Sequence, residues 1–149
     1  MYLSYVGIRV RDLNRSLNFY TKLFGLKEVA RGDNTRFGGG EYVLLRDAKS
    51  GIKLELNWYP PGSSYAVPYT PGEGLDHIAF RVNNVRDTVK SLVEKGVEIA
   101  EIAPLLAEPI PDPSRPGWFR VAYVKDPDGN WIELYQHADP IGPSIPERY

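Results

Sequence analysis

Tyr5-Val6-Gly7-Ile8-Arg9-Val10 and His77-Ile78-Ala79-Phe80-Arg81-Val82 decide the fold, because one strand pattern is written twice. Both runs alternate apolar with other side chains and close on Arg-Val, at an offset of 77 − 5 = 72. A helix signal follows each. After the first run, Asp12 is suited to an N-cap, and Leu13, Leu17, Tyr20 and Phe24 fall at helical spacing before Gly25. After the second, Asn84 takes the capping place, Val85, Val89 and Leu92 repeat the apolar face, and Gly96 ends the helix. The far ends of the halves agree too. Asp47-Ala48-Lys49-Ser50-Gly51 leads into Ile52-Lys53-Leu54-Glu55-Leu56, and Asp126-Pro127-Asp128-Gly129 leads into Asn130-Trp131-Ile132-Glu133-Leu134. Each Glu lies four residues after the Gly, and 133 − 55 = 78. Hairpin strands are expected before these turns at 41–46 and 120–125, with one more strand per half near 27–31 and 97–102.

Each half therefore reads β-α-β-β-β. The fold class expected is α+β: two tandem βαβββ modules whose curved mixed sheets form an open, barrel-like cleft. The organisation expected is a single domain over 1–149, with modules at 1–58 and 75–137, a Pro/Gly/Tyr linker at 59–74 and a Pro-rich tail at 138–149. The linker is long enough for the modules to pair within one chain or to exchange with a second.

At 149 residues the chain can bury most of its apolar surface. A net charge of -1 supplies no field to attract nucleic acid or an anionic membrane, and neither partner is expected. No apolar run approaches the ~20 residues of a membrane span. The opening residues do not read as a signal peptide, so the cytoplasm is the expected location. Zero cysteines removes disulfides, thiol nucleophiles and thiolate zinc sites. With two histidines, His77 and His137, any metal site must rest on carboxylates.

Alternate strand residues share a face. Val6, Ile8 and Val10 form one face of the first strand, and Ile78, Phe80 and Val82 one face of its repeat. Leu54, Leu56 and Trp58, and then Ile132 and Leu134, do the same in the last strands. The opposite faces carry Glu55 and Asn57, His77, and Glu133. A lone strand glutamate ordinarily points to solvent, and a lone histidine is ordinarily a satisfied surface or core residue. Here the glutamates hold matching places in the two repeats, and His77 opens the second. A twofold arrangement converges such positions, where unpaired carboxylates would repel one another. A single divalent cation relieves that repulsion. Oxygen-rich ligation with one imidazole suits Ni, Co, Zn, Mn or Fe better than a structural zinc cage. His137 lies four residues beyond Glu133, ~13 Å along a strand, and reads as a surface or tail residue.

YVGIRVRDLNRSLNFYTKLFGLK, KLEL, LDHIAFRV and VKDPDGNWIEL together resemble the vicinal-oxygen-chelate superfamily of glyoxalases, bleomycin-resistance proteins and extradiol dioxygenases. The likeness spans roughly residues 1–137 and is nearest to the lactoylglutathione lyases. It implies metal binding at Tyr5, Glu55, His77 and Glu133. Tyr5 departs from the His or Gln usual there, so water can fill that position. Arg9 matches an arginine used for a glutathione carboxylate. Asn57 is placed beside it as a substrate-binding residue. The family's asparagine four residues past the metal-binding Glu is replaced by Tyr59, which bears on glutathione as the carrier.

The function this implies is a metal-dependent lyase/isomerase of the lactoylglutathione lyase type, with proton transfer through a metal-bound enediolate. Glu133 is the preferred base, Glu55 serves the opposite face, and the partners are a small-molecule substrate and a second copy of the chain. Rival readings are a methylmalonyl-CoA-type epimerase, an iron-dependent extradiol dioxygenase, and a metal-free drug-binding protein. The last draws on Trp58, Tyr59, Tyr65 and Tyr69, with Trp118 and Phe119, as an aromatic lid.

Overall fold

The computed structural model describes residues 3–35, 38–100, 110–111 and 116–138. The chain divides into two compact units, residues 1–70 and 71–149.

In the first unit β1 (Val6–Arg9) leads to α1 (Leu13–Asn18), a π-helical turn (Phe19–Leu23), β2 (Lys27–Asp33), β3 (Glu41–Arg46) and β4 (Lys53–Trp58). The sheet order is β1-β4-β3-β2, with β1 parallel to β4 and the other pairs antiparallel. In the second unit β5 (His77–Arg81) leads to α2 (Val85–Glu94), β6 (Ile110–Pro111), β7 (Trp118–Lys125) and β8 (Trp131–Ala138). Its order, β5-β8-β7-β6, repeats the topology: β5 runs parallel to β8, and the hairpin pairs are antiparallel. The fold is α+β with two mixed four-stranded sheets.

The apolar faces are buried in part as the alternation expects: Val6 is exposed, and Trp58, Ile78, Phe80 and Val82 are half-buried. Ile8, Val10, Val43, Leu45, Leu54 and Leu56 are buried in the first unit, and Val124, Ile132 and Leu134 in the second. Helix α1 packs on β4 and β3, and α2 on β7 and β8. Burying one Leu or Val side chain contributes about 1.5–3 kcal/mol, so these faces fix which side of each sheet meets its helix. The polar residues then lie on the other side. Helix α2 forms as its sequence indicates: Asn84 accepts from the Asp87 N–H, Val85, Val89 and Leu92 are buried, and Gly96 takes φ +83° past the end.

The first helix differs from the single α-helix expected. Asp12 caps it by accepting from the Arg15 N–H, but after Asn18 the chain widens into the π-turn. The Thr21 hydroxyl donates to the Leu17 carbonyl, taking up an acceptor of the regular ladder. A π-turn adds a residue per turn and rotates the side chains after it about the helix axis. Ser16, Phe19 and Tyr20 are buried, while Leu17 and, after the turn, Phe24 are half-buried.

The strand expected at 97–102 is reduced to a bridge between Ile99 and Val124, flanked by main-chain bonds from Ala100 to Tyr123 and from Lys125 to Glu98; residues 101–102 lie outside the described residues. β2 and β7 are each two residues longer than expected. His137 belongs to β8 and packs edge-on against Tyr135, 5.1 Å between ring centroids, so it is a strand residue rather than part of the tail. Of the tail, 139–149 lies outside the described residues, as do the side chains of Trp118 and Phe119.

Candidate functional site

In the second unit, His77 opens β5 and Glu133 sits mid-way along β8, held together by the parallel register that pairs His77 with Trp131 and Ala79 with Glu133. His77 Nε2 lies 3.1 Å from Glu133 Oε2, and His77 Nδ1 lies 2.8 Å from Asp76 Oδ2. Both ring nitrogens of His77 thus face carboxylate oxygens; with a single hydrogen, on Nδ1, the Nε2 lone pair would oppose Glu133 Oε2. A proton or a metal cation between them relieves that opposition. An imidazole oriented by a carboxylate on its far nitrogen is a common arrangement around a metal ligand. This donor set suits the ion expected from the sequence.

Tyr123 completes the cluster. It is directly across from Glu133 in the β7–β8 hairpin, and its hydroxyl donates to Glu133 Oε2 at 3.0 Å. Its ring packs edge-on to His77 at 5.9 Å and against Trp131 at 5.6 Å. Burial first, then the hydrogen bond to Glu133 and the charges of Glu133 and Asp76, push the Tyr123 hydroxyl up to about 12. It therefore stays a donor at neutral pH.

In the first unit, Glu55 occupies the matching place on β4, opposite Gly7 of β1 and Leu44 of β3. Asn57 Nδ2 donates to Glu55 Oε1 at 3.0 Å, and Asn34 Nδ2 donates to Asn57 Oδ1 at 3.4 Å. Asn57 therefore fixes Glu55 as well as facing the same side. Tyr5 stands just before β1 and is 47% exposed. Arg9 engages the linker: its Nη1 donates to the carbonyls of Tyr65 and Val67, both at 3.2 Å, and its guanidinium lies 5.3 Å over the Tyr69 ring. The Tyr69 hydroxyl donates back to the Arg9 carbonyl at 3.0 Å. Arg9, Arg11, Asn57, Tyr59, Tyr65 and Tyr69 are among the residues that border a cavity of about 370 Å³, with Tyr59 and Tyr65 stacked at 5.4 Å.

Of the three ligands expected, the second unit brings two together, and Glu55 belongs to the first. Within either unit, among the described residues, no group of three or more His, Cys, Asp or Glu side chains stands arranged to hold a metal ion. Asp76 and Tyr123 are not among the residues the sequence singles out. Counting the hairpin back from the Asp126–Gly129 turn places Tyr123 opposite Glu133, so that signal is present in the chain; Asp76 shows only as the neighbour of a candidate ligand.

The two mixed α+β sheets agree with the comparisons to known proteins. The sequence profile of the Glyoxalase/Bleomycin resistance protein/Dioxygenase superfamily matches residues 2–134, and the chain belongs to that family. A probable lactoylglutathione lyase of Synechocystis sp. is 31% identical over 142 residues, covering 91% of this chain and 95% of that protein. The lactoylglutathione lyase of Escherichia coli O157:H7 is 29% identical, covering 93% and 95%. The trypanothione-dependent glyoxalase I of Leishmania major superposes with a TM-score of 0.65 at 29% identity, covering 91% of this chain and 87% of that one. A fosfomycin resistance protein of Listeria monocytogenes, complexed with Mn(II) and sulfate, shares the fold with a TM-score of 0.62 at 19% identity, covering 91% of each chain. Among the described residues no helix is long and apolar enough to cross a membrane.

Proposed function

We propose that the chain is a metal-dependent lyase/isomerase of the glyoxalase type, with His77 and Glu133 of the second unit and Glu55 of the first as its ligands for a divalent metal. The observation that carries this is the His77–Glu133 contact at 3.1 Å, with the other imidazole nitrogen occupied by Asp76. The ion, when bound, supplies positive charge to the oxygens of an enediolate. Glu133 removes a proton from the carbon beside the substrate carbonyl and returns it to the neighbouring carbon, which a carboxylate can do if it moves between partners. Tyr123 and His77 define where that carboxylate rests. Asn57 steadies Glu55 and borders the substrate side of the first sheet. Arg9 fastens the linker over the cavity that would receive the carrier end of a hemithioacetal.

The test combines elemental analysis with an assay on the hemithioacetal of methylglyoxal and glutathione. The proposal expects a transition metal, loss of turnover on chelation, and loss of about 10²–10⁴-fold in kcat for Glu133→Gln with binding retained. Near-normal turnover in Glu133→Gln with loss in Glu55→Gln would exchange the roles of the two glutamates. A protein with neither metal nor turnover would favour the second reading, a drug-binding module, for which the stacked Tyr59–Tyr65 pair is the supporting feature.

A further inference from the structure

Glu133 and Glu55 occupy equivalent places in the two units, yet their cross-strand neighbours differ. Tyr123 faces Glu133, whereas Leu44 faces Glu55. A phenol donates a hydrogen bond and leucine has none to give. The Tyr123 ring is packed between His77 and Trp131, so its hydroxyl is delivered to Glu133 Oε2 by a fixed body rather than by a free side chain. The same oxygen faces His77 Nε2. Oε2 is thus the atom at which imidazole, phenol and any shared cation meet.

We infer that Tyr123 is a positioning residue that holds Glu133 in competition with the metal ion, giving this carboxylate a second resting partner on the facing strand, where Glu55 is held instead by Asn57 of its own strand. The inference rests on the metal reading above. A hydrogen bond donated to Oε2 draws charge from that oxygen and weakens it as a ligand. It also fixes the carboxylate whenever it is off the ion, so that it can take a proton and return it without turning away.

Tyr123→Phe keeps the ring and removes only the hydroxyl. Titrating Zn(II) or Ni(II) into metal-free protein by calorimetry should show the variant binding roughly three- to tenfold more tightly than wild type, the size expected for one lost competing hydrogen bond. The difference should vanish in a Glu133→Gln background. In the hemithioacetal assay run in deuterium oxide, the variant should lose kcat with little change in KM and incorporate more solvent deuterium, because a loosened base exchanges its proton before returning it. Equal or weaker metal binding by Tyr123→Phe overturns the inference and leaves the metal reading standing. No metal binding by the wild type overturns both. Should the variant fail to fold, wild-type protein labelled at tyrosine ζ-carbons gives the same answer by NMR: the Tyr123 resonance shifts on metal addition if the ion and the phenol compete, and an unmoved resonance refutes the competition.

Discussion

Gly7 lies directly across from Glu55 in the parallel β1–β4 ladder, and a Cβ placed on Gly7 would come within 3.3 Å of Asn57 Nδ2 and 3.7 Å of Glu55 Oε1. Gly7 thus leaves narrow room for a side chain beside the Glu55–Asn57 hydrogen bond. The equivalent place opposite Glu133 carries Ala79, so one methyl is compatible with this backbone. Gly7→Ala should therefore fold normally and lose little activity. Gly7→Val adds two methyls against Asn57 and Glu55, and a displacement near 1 Å at a catalytic group costs up to ~10²-fold in rate. Circular dichroism should stay unchanged while kcat falls at least about tenfold; full activity in Gly7→Val would show that Glu55 does not need this clearance.

Asp76 should matter to metal affinity rather than to folding. Its carboxylate orients the His77 ring through Nδ1, but the Asp76 side chain is 86% exposed, so water can partly replace it. Removing such a partner typically costs 10–100-fold in affinity, and for an exposed one the lower end, roughly tenfold, is expected of Asp76→Ala. Calorimetric metal titration of the variant measures this. An unchanged affinity would mean that packing against Tyr123 alone orients the ring.

Much of the fold is legible in the sequence because it depends on periods. Two strands at the same offset, two caps and two Gly-x3-Glu turns give the duplicated topology, and alternation gives the buried faces of Leu54, Leu56, Ile132 and Leu134. The π-turn is not legible, since Leu13, Leu17, Tyr20 and Phe24 satisfy a helical period and the divergence depends on how Phe19 and Tyr20 pack. Nor is the Ile99 bridge, where short-range preference gives way to whichever main-chain partners the hairpin leaves. At the site, His77, Glu55 and Glu133 stand out as ligand types in repeated places. Tyr123 does not, because a tyrosine in a hairpin strand looks like ordinary sheet packing until register puts its hydroxyl on a carboxylate. The sequence points Arg9 toward substrate, and its grip on the linker comes from contacts more than fifty residues away along the chain.

Acid should weaken the β3–β4 turn through Asp47. One of its oxygens accepts from the Ser50 N–H at 2.6 Å, the Lys49 N–H at 2.9 Å and the Ser50 hydroxyl at 3.0 Å. The Ser50 main-chain bond, with lesser help from the Ser50 hydroxyl and from Lys49, holds the Asp47 carboxyl below its ordinary value of 3.8. A depressed folded-state value means that the stabilisation is present above the unfolded value and is lost as pH falls through the folded one. Asp47→Ala should cost about 1 kcal/mol at pH 7, and the gap between variant and wild type in urea melts should narrow below pH 4. A gap that stays constant to pH 2 would place the effect in the backbone instead.

The Arg9–Tyr69 clasp separates two roles for Arg9. One role is shown by geometry: a guanidinium bonded to two linker carbonyls and lying over the Tyr69 ring, with the Tyr69 hydroxyl returning a bond to the Arg9 carbonyl. The other, binding a substrate carboxylate, rests on its place beside the cavity of about 370 Å³. Half-exposed charged bonds of this kind contribute about 1 kcal/mol together, so Arg9→Ala should lower the melting temperature by about 2–4 °C in a chain of this size. Limited proteolysis within 59–69 should quicken as the linker loosens. Arg9→Lys keeps the charge but not the fork that reaches two carbonyls at once, and should show most of the same loss. Tyr69→Phe removes one bond, keeps the ring under the guanidinium, and should show less. Substrate binding is read separately. If Arg9 also pairs with a carboxylate, Arg9→Ala raises KM for the glutathione adduct several-fold more than for its methyl ester. If KM rises equally for both while the melting shift persists, Arg9 serves the linker alone, and the anionic end of the substrate is held elsewhere.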